Sequence, residues 1–189
     1  MIYILLQRGR GTIATLIKWQ TRSAYSHAAL LFRDGVVIES QAGHGVWKYH
    51  VSEVEGSPAD WDVFVVDYVD EKAVRKFAEA QLGDRYDYAS IVRFVTRAQA
   101  IRQDSGKWFC SELAFAAMAK GGIKVLSRIE PCEVSPEMLA ISPLLKYQGR
   151  LDHFIEFGVN RPSSSRFREM GLAKFAWKNS PQPVTTAAK

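Results

Sequence analysis

Two cysteines, Cys110 and Cys132, in 189 residues are too few for a disulfide framework, which excludes the small cross-linked secreted domains. No run of eighteen or more apolar residues occurs, so no segment is expected to cross a membrane as a helix. Ile2 to Leu6 is too short for a secretory apolar region and lacks a small-residue cleavage site. No export leader is therefore expected, and a cytoplasmic location is. CxxC, HExxH, Walker-type and GxGxxG patterns are all missing, so neither a metal nor a nucleotide cofactor is expected.

The chain does have apolar mass and an uneven charge. It is 47% hydrophobic and 12% aromatic, enough for a sizeable core, and its length suits one domain with an appendage. The net charge of +5 is not spread along the chain. Residues 159–189 hold six basic residues and one acid, Glu169, so that stretch carries all of it. Residues 1–158 are neutral by the same count and are read as the globular domain. The basic stretch, with Pro162, Ser163-Ser164-Ser165, Pro181 and Pro183, is read as a tail. A short helix around Arg166 to Trp177 is predicted within it, docked on the body or on a partner. The tail suits contact with a partner or an anionic surface. Nucleic acid is not favoured, since no stacking platform or base-reading motif accompanies the charge.

Periodicity gives strands first and helices in the middle, an α+β order. Ile2 to Leu6 reads as a short strand and Thr12 to Trp19 as a short helix. Ser26 to Phe32 and Val36 to Ser40 flank Arg33-Asp34-Gly35, a strong hairpin signal. Val46 to Val51 and Trp61 to Val69 supply further strands. Asp70 caps a helix from Glu71 to Leu82 that Gly83 ends. Another helix is predicted from Ala89 to Ala100, followed by a polar loop to Lys107. Trp108 to Leu113 opens a helix that Gly121-Gly122 ends. Ser135-Pro136 starts one more, and His153 to Phe157 is predicted to be a last strand.

Cys110 stands after the breaker Ser105-Gly106, where a helix begins. Free backbone N–H groups and the positive end of the helix dipole favour a thiolate there and offer an oxyanion donor. The alternative is a small buried residue between Phe109 and Leu113. Thiol chemistry needs a base, and His27 opens an otherwise apolar strand in which both ring nitrogens require partners. His44, His50 and His153 read as surface or structural. A three-residue turn at Arg33-Asp34-Gly35 places Phe32 opposite Val36, Ala29 opposite Glu39 and His27 opposite Gln41. His27, Ala29, Glu39 and Gln41 then share one face, with Glu39 diagonal to His27. Glu39 and Gln41 are rival orienters of the imidazole. Tyr25 shares that face by alternation and is a candidate oxyanion donor. Tyr86, Tyr88, Trp47, Tyr49 and Trp108 are candidate walls of a substrate groove, or else core and rim.

Tyr25-Ser26-His27 on one strand, Val37-Ile38-Glu39-Ser40 on the next, Tyr86-Asp87-Tyr88 before a helix and Phe109-Cys110-Ser111-Glu112-Leu113 opening another form an ordered set. That order resembles the permuted papain-like, NlpC-like cysteine hydrolases, with YiiX-type and lecithin:retinol acyltransferase-type proteins as relatives. The resemblance covers roughly residues 1–158. It implies a curled antiparallel sheet packed by helices, with Cys110 as nucleophile at a helix N-terminus, His27 as base and Glu39 as the third polar group. A histidine is usual at that third position in the acyltransferase branch, so Glu39 points to the YiiX-type side.

The expected activity is hydrolysis of an amide or peptide bond through an acyl-thioester on Cys110, with cell-wall peptide a candidate substrate by resemblance. Tyr25, Gln41, Tyr86 and Trp108 are the expected substrate-binding residues. The alternatives are an ester or thioester hydrolase or acyltransferase on a lipid-like substrate, and a catalytically silent binding or phage-structural module.

Overall fold

The computed structural model describes residues 1–9, 12–21, 23–54, 56–90 and 106–157. The strands are β1 (Ile2–Gln7), β2 (His27–Leu31), β3 (Val36–Gln41), β4 (Gly45–His50), β5 (Trp61–Val66), β6 (Arg85–Tyr86), β7 (Lys107–Trp108) and β8 (Lys146–Arg150). The helices are α1 (Thr12–Thr21), α2 (Glu71–Ala80), α3 (Cys110–Lys120), α4 (Pro136–Ala140) and α5 (Leu151–Phe157). Six strands form one antiparallel sheet in the order β4-β3-β2-β1-β5-β8, so the architecture is α+β. Short β6 and β7 pair in parallel beside it.

The first strand of the chain is the middle of the sheet. Ile2, Ile4 and Leu6 face one side and Leu5 the other, and all four are buried. The first side is covered by α2, α3 and α4, which press Val74, Leu113, Ala117, Met118 and Leu139 onto Leu30, Phe32, Ile38 and Phe64. The second side carries Ala29, Leu31, Val37, Trp61 and Val63 under Tyr49, Val51, Leu151 and Phe154. Backbone bonds close the β2–β3 turn from Phe32 N–H to the Val36 carbonyl and from Gly35 N–H to the Phe32 carbonyl, both 2.9 Å. Gly35 takes φ +82°, the left-handed geometry such a turn requires. The resulting register sets Leu30 opposite Ile38.

Several predicted elements are corrected. The strand expected at His153 to Phe157 is helix α5: Leu151 and Phe154, one turn apart, both pack on the second side. The last strand is Lys146–Arg150, a polar edge strand that shows no apolar alternation. β5 ends at Val66 rather than Val69, before Tyr68 turns to φ +57°. Trp108 belongs to β7 and the helix begins two residues later, because the Trp108 carbonyl accepts from Ser40 Oγ (2.7 Å) and Asp87 N–H (3.0 Å). Helix α3 is buried on every side from Cys110 to Met118. Cys132 sits in a 3-10 turn, Pro131–Glu133. The helix predicted to Ala100 lies outside the described residues beyond Ser90, as do the loop to Ser105 and the tail.

Helix α3 ends where α2 begins, and Gly121 makes that approach possible. Asp70 N–H donates to the Gly121 carbonyl at 3.0 Å. A Cβ on Gly121 would stand 2.5 Å from Val74 Cγ2 and 2.6 Å from Val69 Cγ2. Gly121→Val is expected to lower stability by about 1–3 kcal/mol or more, the usual cost of overpacking a filled core. A denaturant midpoint equal to that of the parent protein would contradict this.

Candidate active site

The site lies where the ends of β1, β2, β3 and β5 meet the start of α3. Gln7, the last residue of β1, is opposite both His27 of β2 and Trp61 of β5. His27 Nε2 meets Glu39 Oε2 at 2.8 Å. Glu39 is 3% exposed, so this contact is shielded from water. The Trp61 ring stands edge-on to the imidazole, with centroids 5.8 Å apart at 80°. Gln41, the rival orienter, lines the same cavity.

Cys110 is the first residue of α3, and Phe109 before it has extended dihedrals of −85° and 153°. The Glu112 carboxylate accepts from Phe109 N–H at 3.1 Å and fixes the entry of the chain into the helix. Ser40, next to Glu39, holds the preceding segment through the Trp108 carbonyl. These ties bring the Cys110 side chain into hydrogen-bonding contact with His27. Burial alone would depress basicity of the imidazole. The Glu39 carboxylate and the sulfur of Cys110 outweigh it, by charge and by hydrogen bonding, so His27 holds its proton well above the ordinary histidine range.

Beside this group is a cavity of about 180 Å³ lined by Gln7, Gly9, Ala14, Ile17, Ser26, His27, Glu39, Gln41, Ala42, Trp61 and Tyr86. Cys110 is 1% exposed and does not line the cavity. It packs with Ile17, Tyr86 and Phe109, so Ile17 of α1 and Tyr86 stand between the thiol and the open space. Burial, followed by the charge of Cys110, raises the Tyr86 phenol and keeps it a neutral hydroxyl.

Gln41 and Tyr86 thus line the cavity and Tyr25 and Trp108 do not. Tyr25 lies on the opposite side of the sheet, edge-on to Phe64, and its hydroxyl donates to Asp62 Oδ2 at 2.6 Å. The alternation of β2 does not extend back to it, because Ser23 Oγ accepts Tyr25 N–H at 2.8 Å and turns the chain there. Asp62 is buried and also accepts from Arg8, so a charged cluster braces the sheet directly behind the site. The Trp108 indole packs on Phe77 and donates to Asp84 Oδ2 at 3.1 Å, away from the cavity. Trp47 and Tyr49 stack on each other on β4, and the Tyr88 hydroxyl accepts from Gly43 N–H. His44 stacks on Trp47, His50 is buried with Nδ1 2.8 Å from Ser52 Oγ, and His153 is exposed.

Gln7, Ile17 and Trp61 were not among the residues expected at the site. Gln7 and Trp61 reach it only through the pairing of β1 with β2 and β5, which no local pattern specifies.

Neither a family model nor a curated protein matches the chain. Among solved structures it resembles the metalloprotein YiiX from Escherichia coli O157:H7, with a TM-score of 0.58 and 18% sequence identity. The alignment covers 79% of this chain and 96% of that one. At that identity the likeness is one of fold, and the chain is an α+β protein with a YiiX-like fold.

Proposed function

We propose that the protein is a cysteine hydrolase of the permuted papain-like kind, acting on an amide or peptide bond. One observation carries the reading: His27 is held between Glu39, 2.8 Å from Nε2, and the Cys110 side chain at a helix start. Such an arrangement supplies a nucleophile, a base and an orienting carboxylate. With Nε2 turned to Glu39, Nδ1 is the nitrogen left for the thiol.

The Cys110 proton passes to Nδ1, and the thiolate attacks the acyl carbon to form an S–C bond. The negative charge on the carbonyl oxygen falls near the first N–H groups of α3. His27 returns the proton to the departing nitrogen, the C–N bond breaks, and an amine leaves. His27 then takes a proton from water, the hydroxide opens the thioester, and a carboxylic acid leaves as Cys110 is regenerated. YiiX is described as a metalloprotein. Among the described residues of this chain, no group of three or more His, Cys, Asp or Glu converges as a metal cage would require. The scheme therefore routes no step through a metal.

The cover over the thiol has a measurable consequence. Ile17 packs directly with Cys110, so Ile17→Ala is expected to speed alkylation of Cys110 by iodoacetamide severalfold. The rate at Cys132 should stay constant. An unchanged Cys110 rate would mean that Ile17 does not limit access. The reaction class is tested by screening short N-acyl amides, peptides and matched esters against the parent protein and Cys110→Ala. Amine release confined to the parent supports the reading, and release that persists in the variant removes it.

A further inference from the structure

We infer that helix α1 is a strap closed over the nucleophile and latched by Lys18, and that substrate reaches Cys110 when the latch lets go and α1 lifts. This deepens the Cys110–His27 reading above and rests on it.

The closed site keeps its parts separate. His27 and Glu39 line the cavity, whereas Cys110 is 1% exposed and lies behind Ile17 and Tyr86. At about 180 Å³ the cavity is also smaller than the roughly 300–1,000 Å³ of sites that take up a whole drug-sized ligand. Ile17 or Tyr86 has to move before a carbonyl carbon can meet the sulfur. Tyr86 is held in place. The backbone on both sides of it is tied to the segment that leads into α3, from Arg85 N–H to the Gly106 carbonyl and from Asp87 N–H to the Trp108 carbonyl, both 3.0 Å. Moving Tyr86 would drag Cys110 along with it.

Ile17 stands on a less deeply rooted element. Among the described residues, neither of the two large clusters of the sheet includes a side chain of α1, and Ile17 joins only the small cluster around Cys110. Thr15 and Trp19 are exposed. Ala14 and Ile17 line the cavity, so α1 is one of its walls, and lifting it opens the thiol onto the space that already holds the base. The chain is anchored on both sides of the helix. Before it, Arg8 N–H donates to the Asp60 carbonyl at 2.9 Å and the Arg8 guanidinium holds Asp62. After it, Ser23 Oγ donates to Glu137 Oε2 of α4 at 2.5 Å. Between these anchors Lys18 Nζ donates to the Gly9 carbonyl at 2.7 Å, fastening the later half of α1 back to its anchored entry. Lifting α1 breaks that bond and uncovers Ile17 while both large clusters stay packed, the pattern of a local opening well below the cost of global unfolding.

Two measurements on the same proteins test the strap: the rate of Cys110 alkylation by iodoacetamide, read against Cys132 by peptide mass spectrometry, and amide hydrogen exchange. Lys18→Met keeps an unbranched apolar stem and loses the ammonium. It should raise the Cys110 rate about tenfold, as loss of a hydrogen bond from a charged group implies, and leave the Cys132 rate constant. Exchange should quicken across α1 in the variant and stay at the parent rate in α2 and α3. An unchanged Cys110 rate in Lys18→Met, or a faster one accompanied by equally faster exchange in α3, would overturn the inference. His27→Gln separates this inference from the proposed function. It should slow alkylation of Cys110 and leave exchange in α1 as it was. A Cys110 rate that ignores His27→Gln but rises in Lys18→Met would remove the base from the proposed function and leave the strap standing. A rate that falls in His27→Gln but ignores Lys18→Met would remove the strap alone.

Discussion

Replacing Cys110 by alanine is expected to abolish turnover, with a loss on the order of 10⁴-fold or more, as nucleophile deletions in triad enzymes show. The fold should survive. The side chain is buried among Ile17, Tyr86 and Phe109, and loss of one sulfur leaves only a small void. Circular dichroism and a melting curve close to those of the parent protein should accompany the loss. Cys132→Ala is the matched control. Cys132 is partly exposed in the Pro131–Glu133 turn, on a segment that contributes nothing to the cavity lining. Its activity should be unchanged. Equal losses in the two variants would contradict the assignment.

The second large effect is expected from Glu39→Gln, which keeps the shape and removes the charge. The carboxylate contacts His27 Nε2 at 2.8 Å and is the foremost influence raising its basicity against burial. Without it Cys110 alone opposes burial, and the imidazole should lose its proton at lower pH. The alkaline limb of the pH–rate profile should then move toward acid. The value of kcat/KM should fall by about 10²–10⁴, the range lost when an imidazole is wrongly protonated or misoriented. Stability carries the same signature. A histidine whose folded-state pKa is raised adds stability that is full below about pH 6.5 and fades as pH rises through the folded value. Denaturant titrations across that range should show this slope in the parent protein and a weaker one in Glu39→Gln. Parallel curves for both proteins would show that Glu39 does not hold the proton on His27.

The parts of the fold read correctly from sequence are those set by local chemistry. Asp34-Gly35 imposed a turn, and the turn imposed the register that brings Glu39 to His27. Asp70 accepts from Lys72 and Ala73 N–H as an N-cap should, and Ser135 does the same for Met138. The helix that carries Cys110 followed from the breaker before it and the apolar spacing after it, although its first residue is Cys110 and not Trp108. What failed depended on distant partners. The central place of β1 comes from pairing with β2 and β5, which lie twenty and more residues away. Gln7 and Trp61 enter the site only through that pairing. Lys146–Arg150 is solvent-facing, so its side chains carry no alternation to read. Tyr25 was assigned to the His27 face by extending a strand one turn too far, and the bond to Ser23 is what stops it.

The account stands on one contact, His27 with Cys110, and the rate of Cys110 alkylation by iodoacetamide as a function of pH tests it most directly. Cys110 should react faster in the parent protein than in His27→Gln across the pH range in which the imidazole holds its proton. His27→Gln should leave the Cys132 rate untouched. Equal Cys110 rates in the two proteins across that range would contradict the account.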